Sequence, residues 1–204
     1  MPPIKIPSEA LIQAARFRVK YKDIFDLKKF YEDLHLWLEE RKWIDFEDGS
    51  DHYETFYLEK IDMGGFKEMW MRWRPMKIPI ENSYYRYWLD LDFHCLGIKD
   101  VEVVKEGKKF SAHKGEVELT VTAFIELDYQ GQWSKHPFLK FFNQIFPKRI
   151  FRRALFEEHK REIYREAYEM QNWIKRWFKL KRYLPYEEIK SFHPSYAWPS
   201  HKRE

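Results

Sequence analysis

The sequence predicts an α+β fold in which a curved antiparallel β-sheet of about six to seven strands carries one N-terminal helix and a long C-terminal helix. Three patterns support this prediction. Apolar and polar residues alternate along several segments between residues 15 and 129, as they do in half-buried strands. Apolar residues recur at helical spacing between residues 27 and 38. Helical spacing returns after Gly131 and continues for most of the remaining chain.

The first two predicted elements are a strand and a helix. Residues 15–21 alternate apolar and basic side chains, which predicts a strand with its basic residues on one side. Asp23 is a candidate cap for the next element. The apolar residues that follow it predict a helix that closes with Arg41 and Lys42, before a turn near Gly49.

A meander of antiparallel strands is the most economical topology for the middle of the chain. The alternating runs cover about residues 52–61, 66–74, 84–96 and 116–129. A shorter strand at 100–105 and a possible partner at 108–113 flank a hairpin turn at Glu106-Gly107-Lys108. Because the alternation is regular, we expect one face of the sheet against helices and the other polar.

The C-terminal region is predicted to be helical and basic. A short amphipathic stretch ends at Pro147, a long helix covers about 148–181, and the last twenty residues form either an aromatic strap or a flexible tail. This divides the chain into a sheet domain at 1–133, basic helices at 134–184 that pack on and extend from the sheet, and a Pro/aromatic tail at 185–204.

A long helix raises the question of what covers its far end. At 1.5 Å per residue it would be about 51 Å long and would overhang a compact body. We expect its distal apolar residues to need cover from the tail or from a second subunit, so both a monomer and a homodimer stay open. These residues are Met170, Ile174, Trp177 and Phe178.

The order of these elements, strand, helix, antiparallel meander and long C-terminal helix, over about residues 15–180 is similar to the helix-grip arrangement of the START and polyketide-cyclase-like superfamily. The resemblance implies an apolar cavity between the curved sheet and the C-terminal helix. It therefore implies a small apolar ligand or a lipid as a possible partner. Functions within the superfamily vary, so the resemblance does not define a chemistry.

Charge is distributed unevenly along the chain, whose net charge is +4. Residues 134–204 hold 17 Lys/Arg and 8 Asp/Glu, a balance of +9, whereas residues 1–133 hold 20 and 25, a balance of −5. A basic region attracts an anionic membrane surface, an acidic protein or nucleic acid. The carboxylates within the long helix favour a solvated helix over a nucleic-acid-binding one.

The segment with the strongest interfacial character lies between Ser134 and Arg153. Its phenylalanines are bracketed by basic residues, which is typical of a helix that inserts apolar side chains into a membrane surface while its cations meet headgroups. The same pattern also describes a helix that packs on the sheet with solvated lysines. The candidate contact residues are Lys135, Phe138, Phe142, Phe146, Lys148, Arg149, Arg152 and Arg153.

A polar cluster is predicted on the exposed side of the sheet. Asp90, Asp92 and His94 share one face of their strand, and Glu126 and Asp128 are candidate additional oxygen ligands for a hard cation. The competing interpretation is that these side chains form cross-strand ion pairs with Arg72, Arg74 and Arg86. We favour the ion pairs over a metal site and over acid/base catalysis.

The sequence lacks several signatures. It contains no glycine-rich phosphate loop, no zinc-protease motif and no nucleophile elbow, and its one cysteine, Cys95, excludes an internal disulfide. No signal sequence or membrane-spanning stretch is evident, and Asn and Gln total only eight. We therefore expect a cytoplasmic, possibly peripheral membrane protein, from a thermophilic prokaryote, without a cofactor.

Two functions follow from these patterns. The first is a non-enzymatic binding or interaction protein that docks its basic aromatic C-terminal region on an anionic membrane surface or a macromolecular partner. The second is a helix-grip domain that binds a small apolar ligand or lipid; nucleic-acid binding is a third, less favoured possibility.

Overall fold

The computed structural model describes residues 11–45, 49–79, 84–105, 108–131 and 151–180, and the side chains of 105, 108 and 151–158 lie outside that description. Within these ranges the protein is an α+β structure with one open antiparallel sheet of six strands and two helices, as the sequence predicts. The elements are β1 Leu11–Phe25, α1 Leu27–Glu40, β2 Glu54–Ile61, β3 Lys67–Trp73, β4 Met76–Lys77, β5 Tyr85–Lys105, β6 Lys108–Leu127 and α2 Phe151–Trp177.

The strand order across the sheet is β1-β6-β5-β3-β2, and the short β4 also pairs with β5. The strands from β2 to β6 pair with near neighbours in the chain, whereas β1 crosses to pair with β6 over almost its whole length. Strand β2 pairs with β3 and forms one edge of the sheet. The alternate apolar residues of β5 and β6 are buried on the inner face of the sheet, as the sequence pattern predicts.

Strands β5 and β6 are longer than predicted. The predicted runs at 84–96 and 100–105 merge into the one strand Tyr85–Lys105, and those at 108–113 and 116–129 merge into the strand Lys108–Leu127. A register shift between Leu96 and Lys99 bends β5, and Gly97 takes a φ of +60° there. Gly115 lies opposite this bend, where an added Cβ would be 2.6 Å from the Ile98 side chain. Two glycines thus let a bent hairpin stay paired where the sequence suggested a break.

Helix α1 begins at a different cap from the one predicted. Asp26, not Asp23, is the N-cap, and its side chain accepts a hydrogen bond of 3.0 Å from the backbone N–H of Lys29. Asp23 is still paired within β1, opposite Gly115 of β6. The helix buries the stripe that its spacing predicts, namely Phe30, Leu34, Trp37 and Leu38.

The C-terminal end of helix α2 packs on the body, so the overhang predicted for its distal residues is not found. Cover by the tail, which lies outside the described residues, and a homodimer stay predictions. Met170, Ile174 and Phe178 are buried in the same core as the sheet. The Phe178 ring lies 4.6 Å from the centres of both the Tyr21 and the Phe30 rings. The helix crosses the sheet toward α1, and β1 and α1 supply the cover.

Candidate functional site

The predicted polar cluster forms cross-strand ion pairs on the outer face of the sheet. The Arg72 guanidinium lies 2.5 Å from Asp92, and that of Arg74 lies 3.1 Å from Asp90. His94 pairs instead with Glu68 of β3 at 3.0 Å. Burial raises the pKa of Asp90 more than the adjacent Arg74 charge lowers it. Arg72 of β3 and Arg74 directly after it thus face the carboxylates of β5, as the ion-pair interpretation predicts.

Glu126 and Asp128 do not join this cluster. Asp90 pairs with Thr122 of β6. Glu126 lies four residues further along β6, about 14 Å from Thr122 at the spacing of an extended strand. It is buried with Arg86, whose guanidinium donates to it at 2.5 and 3.2 Å, and Trp88 also donates to it. Asp128 follows the end of β6. The five residues therefore do not surround one point.

The residues predicted to meet a membrane or partner lie almost wholly outside the described ranges. This applies to residues 135–149, including Lys135, Phe138, Phe142, Phe146, Lys148 and Arg149. Arg152 and Arg153 belong to α2, but their side chains are not described. The docking function proposed for this segment stays a prediction. In the part of the chain that is described, no helix is both long and apolar enough to cross a membrane.

Two polar clusters not predicted from the sequence tie α1 and α2 to their surroundings. His35, Glu39 and Asp51 bring one candidate ligand atom each within 4.8 Å of the others. The imidazole of His35, however, lies 2.6 Å from the Asp51 carbonyl oxygen, to which its N–H donates. On the other side, Tyr85 contacts His159 of α2 at 2.9 Å and Tyr87 donates to Glu162 at 2.8 Å. The first cluster connects α1 to the segment before β2, and the second connects α2 to β5.

A groove of about 660 Å³ opens between the first turns of α1 and the β2–β3 hairpin. Its floor is apolar, because Met69, Met71 and Ile98 are buried inner-face residues of β3 and β5. The lining residues are Leu27, Lys28, Tyr31, Glu32, Glu54, Tyr57, Glu59, Lys67, Met69, Met71, Ile98 and His113. We call this feature the α1 groove.

Tyrosine–carboxylate pairs form the wall of the α1 groove along β2. The Tyr31 hydroxyl donates to Glu54 at 2.6 Å, and the Trp73 indole N–H donates to the same hydroxyl at 3.1 Å. The Tyr57 hydroxyl donates to Glu59 at 2.9 Å. Burial, followed by the hydrogen bond to Glu54, raises the pKa of Tyr31 far above its ordinary value. Both hydroxyls are therefore protonated donors at neutral pH.

Two lysines and one histidine also line the α1 groove. Lys28 lies 3.8 Å from Glu32 on the same helix. Lys67 lies 3.7 Å from Asp100, and His113 approaches the same carboxylate at 3.5 Å. His113 also accepts a hydrogen bond of 3.3 Å from the backbone N–H of Leu27. The lining of the groove thus combines carboxylates and lysines with an apolar floor.

Sequence reasoning did not identify the α1 groove. Its lining comes from α1, β2, β3, β5 and β6, which no local pattern connects. One signal was present: Phe56, Tyr57 and Leu58 are consecutive and bulky, so β2 cannot bury them all on one face. No known protein family matches the chain, and no curated protein or solved structure matches it either.

Proposed function

We propose that the protein binds a small molecule in the α1 groove. The observation that carries this proposal is an apolar floor of buried side chains beneath a wall of oriented hydroxyls and carboxylates. Small-molecule sites typically combine a concave apolar surface with a few fixed polar groups and have volumes of about 300–1,000 Å³. The groove has the first two properties, and its volume of about 660 Å³ lies within that range.

The position of the groove differs from the cavity that the helix-grip resemblance implies. Aromatic rings pack between the described part of α2 and its neighbours: Phe17 lies beside Tyr168, and Phe30 packs against Trp173 and Trp177. The groove lies instead at the start of α1, and none of the described α2 side chains, from residue 159 onward, lines it. We retain the helix-grip arrangement as a proposal, supported by the pairing of β1 with β6 and by both helices contributing to one inner-face core.

Rigidity at the floor supports a preformed site. Ile98 is fully buried, and its side chain packs closely against Gly115. Met69 and Met71 belong to β3, which is paired with a strand on each side. A preformed apolar surface binds without the entropic cost of ordering its own side chains. Tyr57, by contrast, is half exposed and stands where a ligand meets the β2 wall.

The proposal is tested with Nile red, a neutral apolar dye whose fluorescence rises on transfer out of water. We expect saturable binding to the full chain, weakened at least about fivefold by Tyr57→Ser, because that change removes the aromatic wall. Phe110→Ser is the matched control, since Phe110 is exposed to the same extent, 50% against 49% for Tyr57, but does not line the groove. Absence of saturable binding, or equal losses in both variants, would refute the proposed function.

A further inference from the structure

We infer that the ligand of the α1 groove is an amphipathic amine, an apolar chain or ring system that carries one ammonium group held by Glu54. This inference rests on the proposed function, because it assigns a chemical class to the ligand of the same groove. Three features of the groove support it: the state of the Glu54 carboxylate, the placement of the cations and the aromatic surface around both.

The Glu54 carboxylate is fixed in place and retains capacity to accept hydrogen bonds. The Trp73 indole donates to the Tyr31 oxygen, which leaves the single Tyr31 proton to be donated to Glu54. A carboxylate has about four lone-pair sites, so one hydroxyl leaves the others available to a ligand. An ammonium group supplies up to three donors and a compensating charge, which makes the strongest class of hydrogen bond.

The two lysines that line the groove form their ion pairs with other carboxylates. Among the ion pairs of the described residues, Lys28 is paired with Glu32 and Lys67 with Asp100. Those ion pairs give neither Glu54 nor Glu59 a lysine or arginine partner, and the hydrogen bonds to them come from neutral tyrosines. The β2 wall is therefore negative, which attracts a cation and disfavours a carboxylate or phosphate ligand.

The surroundings of Glu54 suit the rest of such a ligand. The ring of Tyr31 stands edge-on to Trp73, with ring centres 4.5 Å apart, and aromatic faces attract ammonium groups. From this point the floor runs along Met71 and Met69 toward Ile98, all buried apolar side chains. An ammonium at Glu54 therefore places an attached hydrocarbon over the apolar floor.

The experiment compares decylamine, decanol and decanoate as competitors of Nile red at neutral pH, below their aggregation concentrations. The three probes share one chain and differ only in headgroup charge. We expect decylamine to displace the dye at a concentration about tenfold lower than decanol, because it adds a charge-assisted hydrogen bond, and decanoate to be the weakest. The preference for decylamine should fall as salt is added, since charge attraction across an open groove is screened.

Single substitutions test whether Glu54 is responsible for the preference for decylamine over decanol. Glu54→Gln should abolish the preference for decylamine over decanol while dye binding persists, and Tyr31→Phe should reduce it in part. Glu102→Gln is the control, because it removes one carboxylate from the β5–β6 hairpin, outside the groove lining. Circular dichroism confirms that each variant is folded.

The outcomes separate the two proposals. If the dye does not bind, the proposed function and this inference both fail. If the dye binds but decanol or decanoate competes as well as decylamine, the groove is a binding site and the amine assignment is wrong. If Glu54→Gln keeps the preference for decylamine, or Glu102→Gln loses it, Glu54 does not hold the ammonium group.

Discussion

Strands β5 and β2 belong to the same sheet but have opposite environments. Along β5 the inner residues Tyr87, Leu91 and Phe93 are buried beneath the helices, whereas along β2 Phe56, Tyr57 and Leu58 are 49%, 49% and 41% exposed. The difference follows from position, because α1 and α2 cover the middle of the sheet and the β2 edge extends beyond them. The covered half has the aromatic core and the edge has the groove, so stability and binding should be separable by mutation.

The largest effect is expected in the covered half. Phe30 is fully buried between Phe93 and the rings of Trp173 and Trp177 of α2, so Phe30→Ala should lower the free energy of unfolding by about 4 kcal/mol through lost burial and a cavity. Urea denaturation measures this. Leu36→Ala on the exposed side of the same helix is the control and should change stability by less than about 0.5 kcal/mol. Similar losses in both variants would contradict the described core.

The next largest difference in stability is expected between two ion pairs on the outer face of the sheet. Arg86→Ala should cost about 3 kcal/mol, because it leaves Glu126 buried without its cationic partner. Arg72→Ala should cost less than about 1 kcal/mol, because Asp92 stays half exposed to water. Thermal and urea melts of both variants test the contrast. Equal costs would show that burial does not distinguish the two pairs.

A smaller effect is expected at the boundary between the two regions. Tyr31→Phe removes the donor to Glu54 and the acceptor for the Trp73 indole, so it should destabilise the protein by about 1 kcal/mol. Tyr57→Phe removes a hydroxyl bonded to Glu59 at the solvent-exposed edge and should have little effect. Denaturant titration of the two variants measures both changes in the free energy of unfolding. A larger loss of stability for Tyr57→Phe than for Tyr31→Phe would contradict the hydrogen bonds described for the two hydroxyls.

The smallest effect is a dependence on alkaline pH. Burial, the leading cause in both cases, raises the pKa of Tyr53 and of Tyr57 from 10.0 to about 12. A raised tyrosine pKa means that the folded state binds more protons, so this stability is complete below pH 10 and is lost as the pH rises toward about 12. Tyr53→Phe and Tyr57→Phe should each weaken the alkaline loss, and by similar amounts, since both pKa values rise to about 12. Urea melts across this pH range measure the slopes, and an alkaline loss that neither variant reduces would contradict the raised pKa values.

A further check uses the one cysteine. Cys95 is fully buried on the inner face of β5, and burial raises the pKa of its thiol to about 12. Alkylation at neutral pH should therefore be slow in the folded protein and fast in denaturant. Rapid alkylation of the folded chain would show that the covered half opens readily.

The sequence by itself determined the local features of this protein. The alternation that placed Phe93 and Val121 inward, and the spacing that placed Phe30 and Leu34 on one side of α1, follow from the period of a single element and its need to bury one face. The same alternation placed Asp90 and Asp92 outward, where they pair with Arg74 and Arg72.

The tertiary structure decided what depends on partners distant in the chain. The pairing of β1 with β6, the cover of Phe178 by Tyr21 and Phe30, and the pairing of Glu126 with Arg86 each join residues that no local period relates. The α1 groove is the clearest case, since its wall and floor come from five elements. A period specifies which side of an element is apolar, but the element that covers that side, or leaves it open to a ligand, is set by how the whole chain packs.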